Sequence, residues 1–230
     1  MNSHYTYLLF DIICVLFPFL LSFDKKVAFY KTWKYLFPAM FITGAFFILW
    51  DILFTAQGVW GFNPKYITGI NVFNLPIEEV LFFICVPYSC VFIYEVVNAY
   101  TKRDVLGTCG TRISILVSIL SLIACVLFYD RTYTIVNAGI CLAVVLFTSF
   151  IYKFRNLGRF YLAYFISLIP FLLCNGILTA LPIVTYNNNE NMDIRIYTIP
   201  MEDVFYCLSL LLGTVLLMDY FKNKSEDNKS

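Results

Sequence analysis

Pro76-Ile-Glu-Glu-Val80 opens a long apolar stretch, and 124 residues later Pro200-Met-Glu-Asp-Val204 opens another. In both copies a proline is followed, after one apolar residue, by two adjacent acids. Carboxylates are among the most costly side chains to place inside a membrane. A chain that places acid pairs at matched positions is therefore predicted to contain a duplicated unit and to use the acids.

The two apolar stretches also end alike. Glu95 closes the first and Asp219 closes the second, again 124 residues apart. Chance similarity among apolar segments does not explain matched acids at both ends, so the duplication is the preferred interpretation.

The composition is typical of a membrane protein. Hydrophobic residues make up 60% of the 230 residues and charged residues 13%, about half the charged share of a soluble domain. The net charge of +1 indicates no nucleic-acid partner. One histidine and eight cysteines without a Cys-x-x-Cys pair predict no metal site. The lack of a Gly-x-Gly-x-x-Gly motif predicts no flavin or nicotinamide cofactor.

Seven apolar stretches predict seven transmembrane helices, and hence an all-α, polytopic membrane helical bundle. Several are close to the roughly 17–25 residues that span a hydrocarbon core, whereas the first and fourth are shorter. The stretches are Tyr7–Leu21, Leu36–Phe54, Ile77–Val97, Ile113–Phe128, Thr134–Tyr152, Phe160–Leu181 and Val204–Phe221.

The distribution of basic residues predicts the orientation. All but three of the 16 lysines and arginines follow the first, third, fifth or seventh stretch. The exceptions are Lys65, Arg131 and Arg195. The positive-inside rule then places the N-terminus outside and the C-terminus in the cytoplasm, which indicates a multi-pass protein of the cytoplasmic (inner) membrane.

The first three predicted helices align with the last three, so that Asp51 meets Asn175. The fourth predicted helix has no partner in the repeat. It crosses the membrane once more, so that the second unit runs in the same direction as the first. This predicts a parallel 3+1+3 repeat about an axis along the membrane normal. The predicted units are residues 1–100 as the first repeat, 101–130 as the connector with the fourth helix, 131–222 as the second repeat and 223–230 as a polar cytoplasmic tail.

Two interpretations of the acid pairs remain open at this point. Proline is favoured in the first turn of a helix, and acids there complement the helix dipole, so the motif can simply be a well-made helix start. Neighbouring helical residues point about 100° apart, however, so one acid of each pair can enter the bundle. Phe82 and Phe83 lie one turn beyond the first pair, and Tyr206 lies one turn beyond Glu202. A carboxyl group beside aromatic rings can hold a proton, and the rings can stabilise a cation.

These motifs together resemble the integral-membrane carotenoid cyclases, in the fused form of the two-subunit lycopene cyclase family. In that family each of two units of about three helices opens its last helix with Pro-x-Glu-Glu or Pro-x-Glu-Asp. Asn175 stands where the first unit has Asp51, so the two halves are expected to differ in role. The first unit is also similar to the family at Ser22–Tyr30, Trp50-Asp51, Gly58–Pro64 and Tyr94-Glu95.

The resemblance implies an enzyme of the lycopene β-cyclase type, an intramolecular lyase or isomerase that closes rings at the ends of linear lycopene without a cofactor. An acid would protonate the terminal double bond, the next double bond would attack the cation, and a base would remove a proton. The implied partners are lycopene or a related linear carotenoid, membrane lipid and other enzymes of carotenoid biosynthesis.

The resemblance also implies acid–base roles for Glu78 and Glu202, with Glu79 and Asp203 as partners or alternates. It leaves open which residue is the acid and which is the base. Two of the candidates for substrate binding, Trp50 and Trp60, equally fit interfacial anchors, and Asp51 equally fits a buried acid bonded to a neighbouring hydroxyl. The substrate-binding candidates are Asp51, Trp50, Trp60, Phe82, Phe83, Glu95, Tyr206 and Asp219.

A transporter is the principal alternative, because small sugar transporters resembling the SWEET family share the 3+1+3 plan. Four prolines in apolar stretches offer hinges, but the acids gather at helix ends rather than at the midplane. A retinal-binding protein would need a lysine within Val204–Phe221, and a membrane prenyltransferase would need an Asp-x-x-x-Asp cluster on a helix; the sequence has neither. The prolines are Pro18, Pro38, Pro87 and Pro170.

Overall fold

Seven α-helices make up most of residues 3–227, the part of the chain described by this computed structural model. Six of them are long and apolar enough to cross a membrane, and α1 is shorter, with 16 residues. The chain is therefore an all-α membrane protein. The helices are α1 Thr6–Leu21, α2 Trp33–Ala56, α3 Ile77–Tyr100, α4 Gly110–Leu127, α5 Thr132–Leu146, α6 Leu157–Ala180 and α7 Glu202–Asp227.

All seven predicted apolar stretches are helical, and the main differences lie at the helix ends. α2 begins at Trp33 rather than Leu36, and α7 continues to Asp227. Residues 223–227, predicted as a polar tail, therefore extend the last helix, while residues 228–230 lie outside the described part. A helix can continue past its apolar segment because its backbone hydrogen bonds are made within the helix itself.

Six short strands lie in the connections before α3 and before α7. They are β1 Trp60–Phe62, β2 Asn71–Val72, β3 Leu75–Pro76, β4 Val184–Tyr186, β5 Arg195–Ile196 and β6 Ile199–Pro200. The β2–β3 and β5–β6 pairs form small antiparallel hairpins that lead directly into the two helices. Their turn residues Phe73 and Tyr197 have φ values of 57° and 59°. Left-handed φ is uncommon for large side chains, so its appearance at matched positions indicates one hairpin geometry used twice.

The two halves meet across β1 and β4. These strands pair antiparallel, and the central pair is Gly61 opposite Thr185, two residues that are equivalent in the repeat. Pairing of equivalent positions is what a two-fold axis through an interface requires. A pseudo-two-fold axis therefore passes between Gly61 and Thr185.

The helices of the two halves interlock around this axis. α2 packs against α7 and α3 packs against α6, so each middle helix contacts the last helix of the other half. α1 lies along α3, α5 lies along α7, and α4 packs mainly on α5 and α6. Leu36, Val91 and Leu212 are completely buried in the core between them. Neither half encloses this core alone, so a site on the axis must draw residues from both.

Candidate active site

A cavity lies at the end of the bundle where β1 and β4 pair. Its empty volume is about 480 Å³. Its walls combine carboxyl groups with aromatic rings, a combination that is rare inside a membrane bundle. The lining residues are Tyr7, Asp51, Trp60, Phe62, Glu79, Phe82, Tyr133, Phe171, Asn175, Val184, Tyr186, Asp203 and Tyr206.

The cavity lies on the axis between the two halves, because its lining comes in equivalent pairs. Asp51 faces the cavity from one half, and Asn175, 124 residues later, faces it from the other. The same displacement relates four further pairs. These pairs are Trp60 with Val184, Phe62 with Tyr186, Glu79 with Asp203, and Phe82 with Tyr206.

The second acid of each motif, Glu79 or Asp203, faces the cavity. The first acid turns away toward the backbone of the preceding connection. Glu78 Oε1 accepts a hydrogen bond from the Thr68 N–H at 2.7 Å, and Glu202 Oε1 accepts one from the Met192 N–H, also at 2.7 Å. Successive residues of a helix point about 100° apart, so the two acids of one motif serve different surroundings.

The structure thus agrees with both interpretations of the motif, because the first acid of each pair supports the helix start and the second faces the cavity. Glu78 and Glu202, which sequence reasoning favoured for acid–base chemistry, are almost completely buried and hold the hairpin against the start of the helix. Glu202 also accepts a hydrogen bond from the Thr134 hydroxyl at 2.6 Å. The geometry favours their neighbours, Glu79 and Asp203, for contact with a ligand in the cavity.

Asp203 is surrounded by hydrogen-bond donors. The Tyr133 hydroxyl donates to Oδ1 at 2.6 Å, the Tyr186 hydroxyl donates to Oδ2 at 2.9 Å, and the Asn175 amide donates to Oδ2 at 2.7 Å. Donors to a carboxylate stabilise its charged form. Burial, and then the nearby Asp203 charge, raise the pKa of Tyr186 in strand β4 well above its ordinary value. Tyr186 therefore keeps its proton and remains a donor.

Glu79 has a different set of partners. It accepts a hydrogen bond from the Tyr7 hydroxyl at 2.6 Å, and the Asp51 carboxyl group lies beside it in the cavity wall. Asp51 accepts hydrogen bonds from the Trp60 indole N–H and, at 3.4 Å, from the Thr55 hydroxyl. Two ionised carboxylates side by side repel each other, so the pair is more stable when one of the two holds a proton.

The two sides of the cavity are therefore chemically unlike. On one side two neighbouring carboxyl groups favour the retention of a proton, and on the other a single carboxylate is held by three donors. Two positions produce this difference: Asn175 donates where Asp51 accepts, and the Tyr186 hydroxyl donates where Phe62 has no donor. One side is suited to giving a proton and the other to receiving one.

Aromatic side chains build the rest of the site. Of the predicted aromatic residues, Trp60, Phe82 and Tyr206 line the cavity, whereas Trp50 and Phe83 lie behind it. Both rings pack on Tyr206, with ring centroids 4.9 Å apart for Trp50 and 6.4 Å apart for Phe83. The Trp60 hydrogen bond to Asp51 makes this tryptophan part of the site, and ring faces toward the cavity can stabilise positive charge.

Glu95 and Asp219 do not reach this cavity. Glu95 lies 16 residues after Glu79 in α3, which corresponds to about 24 Å along the helix. Glu95 and Asp219 line a separate polar cavity of about 580 Å³ empty volume, together with Arg159 and Lys222. The length of α3 places them at the opposite end of the bundle from the paired acids, and their predicted contact with substrate stays a prediction.

Sequence reasoning missed Tyr7 and Tyr133. They are structural equivalents, because the Tyr7 N–H donates to the Tyr66 carbonyl and the Tyr133 N–H donates to the Glu190 carbonyl, and Tyr66 and Glu190 are 124 residues apart. The two tyrosines themselves are 126 apart, so an alignment without gaps passes over them. A gap of two residues in the second half after Tyr133 would have matched them, because every later pair is 124 residues apart.

Asp11 was also missed. It lies one turn after Tyr7 in α1 and is 3% exposed, and its Oδ2 has no hydrogen-bond partner within residues 3–227. The signal was available in the sequence, since an isolated acid in an apolar stretch already indicates a functional position.

These features define a class: a duplicated helical membrane protein with two unlike carboxyl sites around a cavity on its internal axis. Comparison with known proteins identifies the family. The lycopene cyclase family model matches residues 4–97 and 130–221, which are the two halves on either side of α4. The chain belongs to the lycopene cyclase family and carries its domain in duplicate.

The chain is also similar to part of a curated protein, the bifunctional lycopene cyclase/phytoene synthase of Aspergillus niger. The two are 31% identical over 91 residues, which cover 36% of this chain and 16% of the relative. No solved structure matches the chain.

Proposed function

We propose that the chain is a lycopene cyclase, which closes a ring at the end of a linear carotenoid by acid–base chemistry without a change of oxidation state. The observation that carries this proposal is that Glu79 and Asp203, in unlike hydrogen-bonding environments, face one small cavity. Membership of the family and the aromatic walls of the cavity support it.

The Asp51–Glu79 pair is the proposed acid. It gives one proton to the terminal double bond of the substrate, so that a C–H bond forms and a tertiary carbocation remains. The electrons of the next double bond attack this cation and close a six-membered ring, which moves the positive charge to a ring carbon. General acid catalysis of this kind contributes roughly 10²–10⁴-fold in rate.

Asp203 is the proposed base. It removes a proton from a carbon next to the cation, and the electrons of that C–H bond become the ring double bond. We take the ring to be of the β type, with the position of Asp203 deciding which proton leaves. Asp203 gains one proton and the Asp51–Glu79 pair loses one, so proton transfer alone resets the site and no electron donor is needed.

The aromatic walls protect and stabilise the cation. Trp60, Phe82 and Tyr206 face the cavity, and the negative face of an aromatic ring attracts a cation by about 0.5–2 kcal/mol. A site that excludes water also prevents water from trapping the intermediate.

We also propose that all seven helices cross the cytoplasmic membrane, with the N-terminus outside and α7 ending in the cytoplasm. The basic residues support this orientation, which puts the acid cavity near the outer face. In this arrangement residues 1–100 and 131–222 are parallel three-helix repeats, and residues 101–130, with α4, connect them. The proposed partners are a linear carotenoid, membrane lipid and other enzymes of carotenoid biosynthesis.

Expression in a host that makes lycopene tests the proposal. Pigment extracts should contain new cyclic carotenoids with the wild-type chain and little or none with the variant Asp203→Asn at equal membrane abundance. Chromatography against ring standards would identify the ring type. If the wild-type chain leaves lycopene unchanged while the membrane takes up sugar, the transporter interpretation replaces the cyclase.

A further inference from the structure

An apolar groove runs along the outside of the bundle between α2 and α3. Its empty volume is about 1,150 Å³, more than twice that of the acid cavity. All twelve residues along it are apolar, from Phe37 near the start of α2 to Ile52 near its end. These two residues are 15 positions apart, which corresponds to about 22 Å along the helix. The groove is thus long, narrow and lined for a hydrocarbon chain.

Aromatic rings separate the groove from the acid cavity. Phe83 lines the groove, and its ring packs on Phe82 at 5.8 Å and on Tyr206 at 6.4 Å between centroids. Both of these neighbours line the cavity. The groove and the cavity therefore lie on opposite sides of one aromatic wall, and rotation of rings in this wall would join the two spaces.

The second half of the chain differs at the equivalent face. Gly44 and Ala45, which leave room in the groove, correspond to Leu168 and Ile169. At the start of the groove Phe37 is 47% exposed.

The counterpart of Phe37 in the second half is Tyr161. The Tyr161 side chain is completely buried, and its hydroxyl shares a 2.8 Å hydrogen bond with Ser114 of α4. The connector helix therefore covers this position in one repeat, and the groove stays open in the other.

The small size of the acid cavity indicates a role for the groove in substrate binding. By the same measure of volume, the acid cavity is less than half the size of the groove. It accommodates one end of a long hydrocarbon and not the whole chain. The remainder must lie on an apolar surface that continues from the cavity, and the α2–α3 groove is such a surface.

We propose that the α2–α3 groove binds the polyene chain of the substrate while one end passes Phe83 into the acid cavity. This inference rests on the proposed function and adds a lateral entrance to it. The occupant is a linear conjugated isoprenoid, since the aromatic rings of Phe37, Phe41 and Phe83 offer flat surfaces to a flat polyene.

The variant Ala45→Phe tests the groove, because Ala45 is exposed and a larger side chain there fills the groove without entering the core. The matched control is Ala143→Phe, which changes an exposed alanine of α5. Both are made in a Glu79→Gln background so that bound substrate is not consumed. Lycopene retained per purified protein in lipid nanodiscs is measured by visible absorption.

Retention should fall on the order of tenfold with Ala45→Phe, since the buried apolar contact is lost, and stay unchanged with Ala143→Phe. Equal retention by the two variants overturns the inference. So does loss of a co-purified phospholipid from Ala45→Phe without loss of lycopene, which would make the groove a lipid site. Because retention needs no turnover, these outcomes are distinct from failure of the wild-type chain to cyclise lycopene, which overturns the proposed function.

Discussion

Asn175 Nδ2 lies 2.7 Å from Asp203 Oδ2 and donates a hydrogen bond to it. In the other half of the chain the equivalent positions hold Asp51 and Glu79, two carboxyl groups that face the same cavity without an amide between them. The replacement of Asp51 by Asn175, together with that of Phe62 by Tyr186, thus separates an anion-stabilising environment from one that favours a retained proton. A duplicated fold with identical halves would offer two acids or two bases, and a proton-transfer cycle needs one of each.

The variant Glu79→Gln should abolish or severely reduce cyclisation, by roughly 10²–10⁴-fold, because it removes the proton that faces the cavity. The glutamine side chain keeps the shape of Glu79, and the Tyr7 hydroxyl can still donate to the amide oxygen. The rate is measured with purified protein and lycopene in lipid nanodiscs.

The matched control is the adjacent substitution Glu78→Gln. Its amide oxygen can still accept from the Thr68 N–H, so we expect most of the activity and a loss of stability of about 0.5–1.5 kcal/mol. The opposite pattern, with Glu78→Gln inactive and Glu79→Gln active, would assign the chemistry to the first acid of the motif.

Exchange of the two distinguishing residues should exchange the roles of the two halves. Asp51→Asn removes one carboxyl of the Asp51–Glu79 pair, and Asn175→Asp removes a donor from Asp203 and adds an acceptor beside it. Each single variant should therefore lose most activity.

The double variant Asp51→Asn/Asn175→Asp should be more active than either single variant, since it restores one pair and one amide-supported carboxylate. Recovery should be partial, because Trp60, the indole partner of Asp51, has Val184 as its counterpart. Losses that simply add in the double variant would show that the two positions are not coupled through this asymmetry.

Reaction in D2O should add one deuterium for each ring formed, at the carbon next to the gem-dimethyl group. The reason is that the acid takes its proton from water and delivers it to the terminal alkene. Mass spectrometry of the product measures the label, with purified protein and no added flavin, nicotinamide or divalent metal. An absolute need for a reduced cofactor would contradict the acid–base mechanism, whereas unlabelled cyclic product would mean that the proton is recycled inside a sealed site.

Reporter fusions should place the two ends of the bundle on opposite sides of the membrane. A fluorescent protein that matures only in the cytoplasm should be bright when fused after Ser230, which lies beyond the described residues, and dark when fused after Lys65. The motivation is that all but three of the 16 basic residues fall on one predicted side. A dark fusion at Ser230, with the protein present in the membrane, would invert the orientation or change the number of spans.

The positions of the helices and the duplication could be predicted from the sequence because both depend on local patterns along the chain. Apolar stretches of spanning length have few alternatives to a helix in lipid, because all backbone groups must be bonded within the segment. The motifs at Pro76 and Pro200 also depend only on order along the chain. The aromatic neighbours Phe82 and Tyr206 were found because residues four apart on a helix lie on one face.

The sequence by itself determined that the chain is a duplicated helical membrane protein with a pair of acids opening the last helix of each half. Only the tertiary structure decided which acid of each pair faces the cavity, because that depends on the rotation of α3 and α7 within the bundle. It also decided that Tyr7, Tyr133 and Tyr186 complete the site, and that Glu95 belongs to the other end. Those relationships join residues up to 72 positions apart, and contacts of that range are set by packing between helices rather than by local sequence.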